Sequence, residues 1–164
     1  MTTKDAIKIA FNMNFHMLNQ YLSDLTDADL LVRPVPGANH IAWQLGHVIA
    51  SECRMLASFP GGVSPELPAG FAERHSKETA TLEPPKGFLT KAEYLTIFKT
   101  VREQTFAKLD KVPDADLDKP NTAGPAPKLF PTVGHLFMLA ANHQMMHAGQ
   151  FAVVRRKLGK PVLI

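Results

Sequence analysis

The sequence predicts an all-α protein, a four-helix bundle with long connections. Three observations carry that prediction. Four long segments repeat their apolar residues at the helical period. No segment shows the apolar/polar alternation of a half-buried strand. Two Pro- and Gly-rich stretches, residues 61–89 and 113–131, separate the helices and leave room for a crossover in place of a strict up-down order. At 164 residues the chain is expected to be one domain over residues 1–164.

Thr3 can cap a first helix that runs to about residue 24. Ile7, Phe11, Asn14, Leu18, Tyr21 and Leu25 follow the spacing of a bundle seam, with Asn14 as a register-setting or edge polar residue. The connection that follows contains Pro34, Pro36 and Gly37, which forbid a continuous helix, and its residues 27–31 suit one short turn. Asn39 is expected to cap a second helix over residues 40–59, stopped by Pro60, Gly61 and Gly62. Its stripe is Ile41, Leu45, Val48, Met55, Leu56 and Phe59, and Glu52 falls in the middle. A carboxylate there needs a partner. It could accept from a buried His or Arg or support a metal ligand, a structural partner for a His being the preferred reading. Glu52 is also the one candidate general base. His47 lies on the flank of the stripe beside Trp43, where a surface-edge His packed on the indole fits as well as a ligand does.

Residues 71–79 suit a short helix that covers one end of the bundle and shapes a pocket. Thr90 and Glu93 form a capping-box pattern opening a third helix over residues 91–111, with a stripe of Tyr94, Ile97, Phe98, Val101, Thr105 and Leu109. Thr132 caps the fourth helix, which Gly159 and Pro161 stop. Val133, Leu136, Ala140, Phe151, Val154 and Leu158 line one face of it, and His143 and His147 share that face one turn apart. Two imidazoles on an inward face need partners. They are either core histidines bonded to carbonyls or water, or two nitrogens offered to one divalent ion. His135 reads as pocket or core, and His16, His40 and His75 as surface or capping residues. A short echo links Leu45-Gly-His47-Val with Val133-Gly-His135-Leu.

The composition excludes several classes. No run is apolar and long enough to span a membrane. The first residues lack an apolar core with a cleavage site, so no signal peptide is expected. The single cysteine, Cys53, cannot form an internal disulfide, and nothing nearby would activate it as a nucleophile. These features favour a cytoplasmic location. The net charge of +3 is mild, and the cluster Arg155, Arg156, Lys157 and Lys160 reads as a solvated helix end complementing the dipole, so no nucleic-acid partner is expected.

Three segments resemble the DinB-like (DinB/YfiT-like) superfamily of metalloenzymes. They are Pro36-Gly-Ala-Asn-His-Ile-Ala-Trp-Gln-Leu-Gly-His47, Asn142-His-Gln-Met-Met-His-Ala-Gly-Gln150, and the ending Arg155-Arg-Lys-Leu-Gly-Lys-Pro161. With the helix order, the resemblance covers nearly the whole chain. It implies a four-helix bundle holding a divalent ion, zinc or nickel, through His47, His143 and His147. The superfamily often has Arg after the second of the fourth-helix histidines, where this chain has Ala148. Characterised relatives include thiol-dependent S-transferases and isomerases, and dimers are common. The resemblance thus implies a small-molecule substrate with a low-molecular-weight thiol as partner, and a homodimer.

Two enzyme hypotheses follow: transfer of a thiol to an electrophile, or metal-dependent hydrolysis of an ester or amide. Against them stands a non-catalytic bundle that binds metal or a small ligand. A fourth protein ligand, such as Glu52, would favour that last reading, because structural sites close with four.

Overall fold

The computed structural model describes residues 1–58, 64–83 and 85–163. The expected Phe59 stripe position, the stop at Pro60, Gly61 and Gly62, and Pro84 lie outside the described residues.

Four long helices form the bundle: α1 (Thr3–Leu22), α2 (Ile41–Ser58), α4 (Lys91–Lys111) and α5 (Val133–Lys157). A one-turn helix, α3 (Phe71–Arg74), precedes α4, and short 3-10 turns lie at Asp29–Leu31, Lys77–Thr79 and Asp114–Asp118. Among the described residues there is no strand, only an isolated bridge between Pro120 and Thr132. α1 and α2 each pack on both α4 and α5, so α1 and α2 occupy one diagonal of the bundle and α4 and α5 the other. The diagonal steps are therefore made by residues 23–40 and 112–132. Of the two long connections that left room for a crossover, the second makes a diagonal step, whereas the first joins the neighbours α2 and α4.

The caps follow from local chemistry. The first helix is capped by Thr2, not Thr3, because Thr2 and Asp5 exchange bonds in a capping box. It ends at Leu22. Thr90 and Glu93 do the same at α4. The expected Asn39 cap on α2 is replaced by His40, whose Nδ1 accepts the Trp43 N–H at 3.1 Å. At the far end of α5, Gly159 takes φ +68, the left-handed conformation that closes a helix.

Polar ties cross the core. Arg102 on α4 pairs with Glu52 on α2 through Nε at 3.1 Å and Nη2 at 2.8 Å, and Thr105 donates to the same carboxylate. Arg102 also reaches Gln144 on α5, and its guanidinium lies 4.0 Å from the Phe11 ring of α1. One buried cation therefore fixes the rotation of all four helices. Asn14 is buried and donates to the Ala141 carbonyl, which makes it a register-setting residue between α1 and α5. Arg155 departs from the sequence expectation. It is not part of a solvated helix end but fully buried, pairing with Asp24 and donating to the Tyr21 and Pro161 carbonyls. Its guanidinium joins the end of α1 to the segment that follows α5.

Candidate metal centre

α2 and α5 are neighbours, and their packing brings His47 against His143 and His147. Each ring offers one nitrogen, and the three nitrogens lie within 4.8 Å of one another. Nε2 of His143 and Nε2 of His147 are 3.3 Å apart. Two nitrogens on one tetrahedral zinc, at about 2.0–2.1 Å each, would be separated by about 3.3 Å. The pair thus already stands at the spacing an ion requires, and the donor set fits a zinc- or nickel-type cation.

The tautomers are set by the surroundings. Nδ1 of His147 lies 2.9 Å from Oε1 of Gln44. Gln44 spends its own Nε2–H on the Asn39 carbonyl at 2.9 Å, so its oxygen is the end facing His147. His147 must then donate from Nδ1, which leaves the Nε2 lone pair toward the cluster. Trp43 stacks on the His47 ring, with centroids 4.8 Å apart and planes 11° from parallel, and the backbone of His75 lies near enough to offset in part the effect of burial on its basicity. Burial lowers the basicity of all three, to about 4 for His143 and about 3 for His147, so they are neutral at physiological pH. Neutral imidazole is the form that binds metal.

The segment bearing His75 is itself anchored. His75 is buried, with Nδ1 2.6 Å from the Phe71 carbonyl and Nε2 2.7 Å from the Tyr94 hydroxyl. It is a core residue and not the surface or capping residue its sequence context suggests. It can approach α2 because residue 46 is glycine: a Cβ there would lie 2.1 Å from the His75 ring. In place of one short helix over residues 71–79 covering an end of the bundle, the segment forms a one-turn helix and a 3-10 turn packed along α2, where the Trp43 indole N–H donates to the Ser76 carbonyl at 3.1 Å.

The family profile described as the DinB superfamily matches residues 10–151. The chain belongs to the DinB superfamily. Among solved structures, one described as the conserved protein of a locus from Enterococcus faecalis superposes with a TM-score of 0.72 at 16% identity, covering 98% of this chain and 99% of that one. That likeness concerns the fold. No curated protein matches the chain.

In this DinB-superfamily chain, Glu52 stands apart from the centre. It lies on α2 but is turned to Arg102 and Thr105, so its partner is an Arg and not the His that was preferred from sequence. No fourth His, Cys, Asp or Glu joins the three histidines among the described residues. His135 is exposed, not in the core; it sits on the Thr132 hydroxyl at the first turn of α5 and lines a separate cavity of about 260 Å³ that does not include the histidine cluster. The echo with His47 is therefore one of helix starts alone. Cys53 is buried, and burial pushes its thiol up to about 11, far from a reactive thiolate. His16 is exposed and His40 buried.

A cavity of about 440 Å³ opens beside the centre, lined by His47 and His143 with Ser51, Arg54, Met55 and Leu139 among its walls. That volume suits a small ligand. Sequence reasoning missed Gln44 and Arg54. The first had a signal: a Gln three positions before a candidate ligand, in a helix otherwise apolar at that level.

Proposed function

We propose that this protein is a divalent-metal-dependent enzyme that transfers a low-molecular-weight thiol to an electrophilic small molecule. The observation that supports this is the convergence of three neutral imidazole nitrogens with no fourth protein ligand among the described residues, at the wall of a ligand-sized cavity. Three protein ligands with a free position is the pattern of catalytic zinc sites. A divalent ion held by His47, His143 and His147 supplies Lewis acidity and an open coordination position at which a thiol loses its proton readily.

The chain's residues have their own tasks. Gln44 orients His147 through its Nδ1, which leaves Nε2 toward the cluster, and Trp43 stacks on the His47 ring. Met55 and Leu139 give the cavity apolar walls. No carboxylate lines it among the described residues, and Glu52 is committed to Arg102. Among the described residues the cavity wall thus carries no carboxylic acid to protonate an amide or alkoxide leaving group. Displacement by sulfur at a carbon bearing a stable anionic leaving group, such as a halide, forms the C–S bond as that anion departs unprotonated and the thiol proton passes to water, which ranks transfer above hydrolysis.

The test is product formation by zinc- or nickel-loaded protein offered thiols with alkylating or unsaturated electrophiles, with S-conjugates read by mass spectrometry. Conjugates that require the loaded protein and vanish in His147→Ala support the reading. Cleavage of ester or amide substrates without any conjugate would replace it by the hydrolase reading.

A further inference from the structure

We propose that Arg54 recognises an anionic group on the substrate, so that the centre selects small molecules carrying a carboxylate near their reactive end. This deepens the reading of His47, His143 and His147 as a metal centre and rests on it.

Arg54 lies on α2 two turns beyond His47 and shares with it the walls of two cavities. One is the 440 Å³ cavity beside His143. The other, of about 240 Å³, lies on the side of His75. The guanidinium thus stands between two openings onto the same imidazole. It is exposed to ligand, yet its direction is set, because Nη2 donates to Oγ of the buried Ser51 at 2.9 Å. No carboxylate pairs with it among the described residues. This separates Arg54 from the two other arginines of the core region, Arg102 and Arg155, which have Glu52 and Asp24.

The electrostatics make the placement informative. A divalent ion held by three neutral imidazoles keeps its full charge, and the larger cavity contains no acidic residue to offset it. An unpaired guanidinium at that wall adds a further positive charge and opposes the ion itself. An arrangement that weakens metal binding is explained if a third, negatively charged component completes it. A carboxylate fits the guanidinium fork, which can bind it through two parallel hydrogen bonds. The reactive end of the same molecule then reaches the histidines across the cavity.

The test uses cobalt-substituted full-length protein and two thiols of matched size, 3-mercaptopropionate and the neutral 3-mercaptopropionamide. Binding is read from the cobalt–thiolate absorption band. In the wild type the carboxylate thiol should bind roughly tenfold tighter, the scale of one hydrogen bond between charged groups. In Arg54→Gln the two thiols should bind within about twofold of each other, with neutral-thiol affinity unchanged and cobalt affinity equal or higher. Arg54→Lys should keep part of the preference. A wild type without preference, or an Arg54→Gln variant that retains it, overturns the proposal and leaves the metal centre standing. Absence of cobalt binding overturns the centre and the proposal together. Bound cobalt with no band from either thiol overturns the thiol reading and this proposal with it.

Discussion

Gln44→Leu isolates what orients a ligand from what ligates. Gln44 makes two bonds, from its Nε2 to the Asn39 carbonyl and from His147 Nδ1 to its Oε1, each 2.9 Å. Leucine nearly conserves the volume and removes both. The His147 N–H loses its acceptor inside the protein, and the ring becomes free to place either nitrogen toward His143. Loss of a group that orients a metal ligand weakens metal binding by about 10–100-fold, which corresponds to roughly 1.4–2.7 kcal/mol. Two buried groups left unpaired add a stability loss of roughly 1–3 kcal/mol each. Zinc affinity would be measured by competition with a chromophoric chelator, and stability by thermal melts of the metal-free protein. Gln44→Glu separates the two effects. Its carboxylate still accepts from His147 but cannot donate to Asn39, so zinc binding should survive while stability falls. Zinc affinity within twofold of wild type in Gln44→Leu would refute the argument that this bond fixes the tautomer.

Three further predictions concern the support of the site. Gly46→Ala drives a methyl into the His75 ring, 2.1 Å away, and should destabilise the protein by roughly 1–3 kcal/mol while lowering metal affinity, because the His75 segment beside His47 must move; melts and chelator competition would show both. Glu52→Gln leaves Arg102 buried without its counter-charge and should cost roughly 3–5 kcal/mol by denaturant unfolding, with much of the loss recovered in Glu52→Gln/Arg102→Met. The folded-state basicity of His143 and His147 lies well below the unfolded value of 6.5. Metal-free stability from these groups is therefore complete above pH 6.5 and declines as pH falls from there toward about 4 and 3. By the same sign, protons should compete little with zinc for the folded protein between pH 7 and about 5; a tenfold or greater loss of chelator-measured affinity over that interval would contradict it.

How far the sequence could be read depended on what each helix faces. α1 and α4 have one buried stripe each, so periodicity and capping chemistry located them to within a residue or two. The i, i+4 spacing of His143 and His147 likewise survives folding intact, because helix geometry alone puts them on one face. α2 is different. Nearly every residue from Ile41 to Leu56 is buried, so no stripe separates site from core, and His47 was distinguished only through family resemblance. Long-range pairing was the other obstacle. Arg102 had no local mark as the partner of Glu52, fifty residues away. Arg155 looked like the end of a basic run until α1 supplied Asp24 and the Tyr21 carbonyl. The segment around residues 71–79 was expected to shape a pocket, but its placement beside His47 depends on Gly46 admitting the His75 ring, which no side-chain pattern encodes.

The account stands or falls on whether the three histidines hold an ion. Metal content of untagged protein, measured by mass spectrometry after zinc and nickel incubation, tests this directly when His47→Ala, His143→Ala and His147→Ala are measured beside it. The predicted result is about one ion per chain in the wild type, the occupancy of a single three-ligand centre, and loss of that ion in each folded variant. A folded wild type that takes up neither metal would contradict the claim and make the three histidines ordinary residues of a helical core.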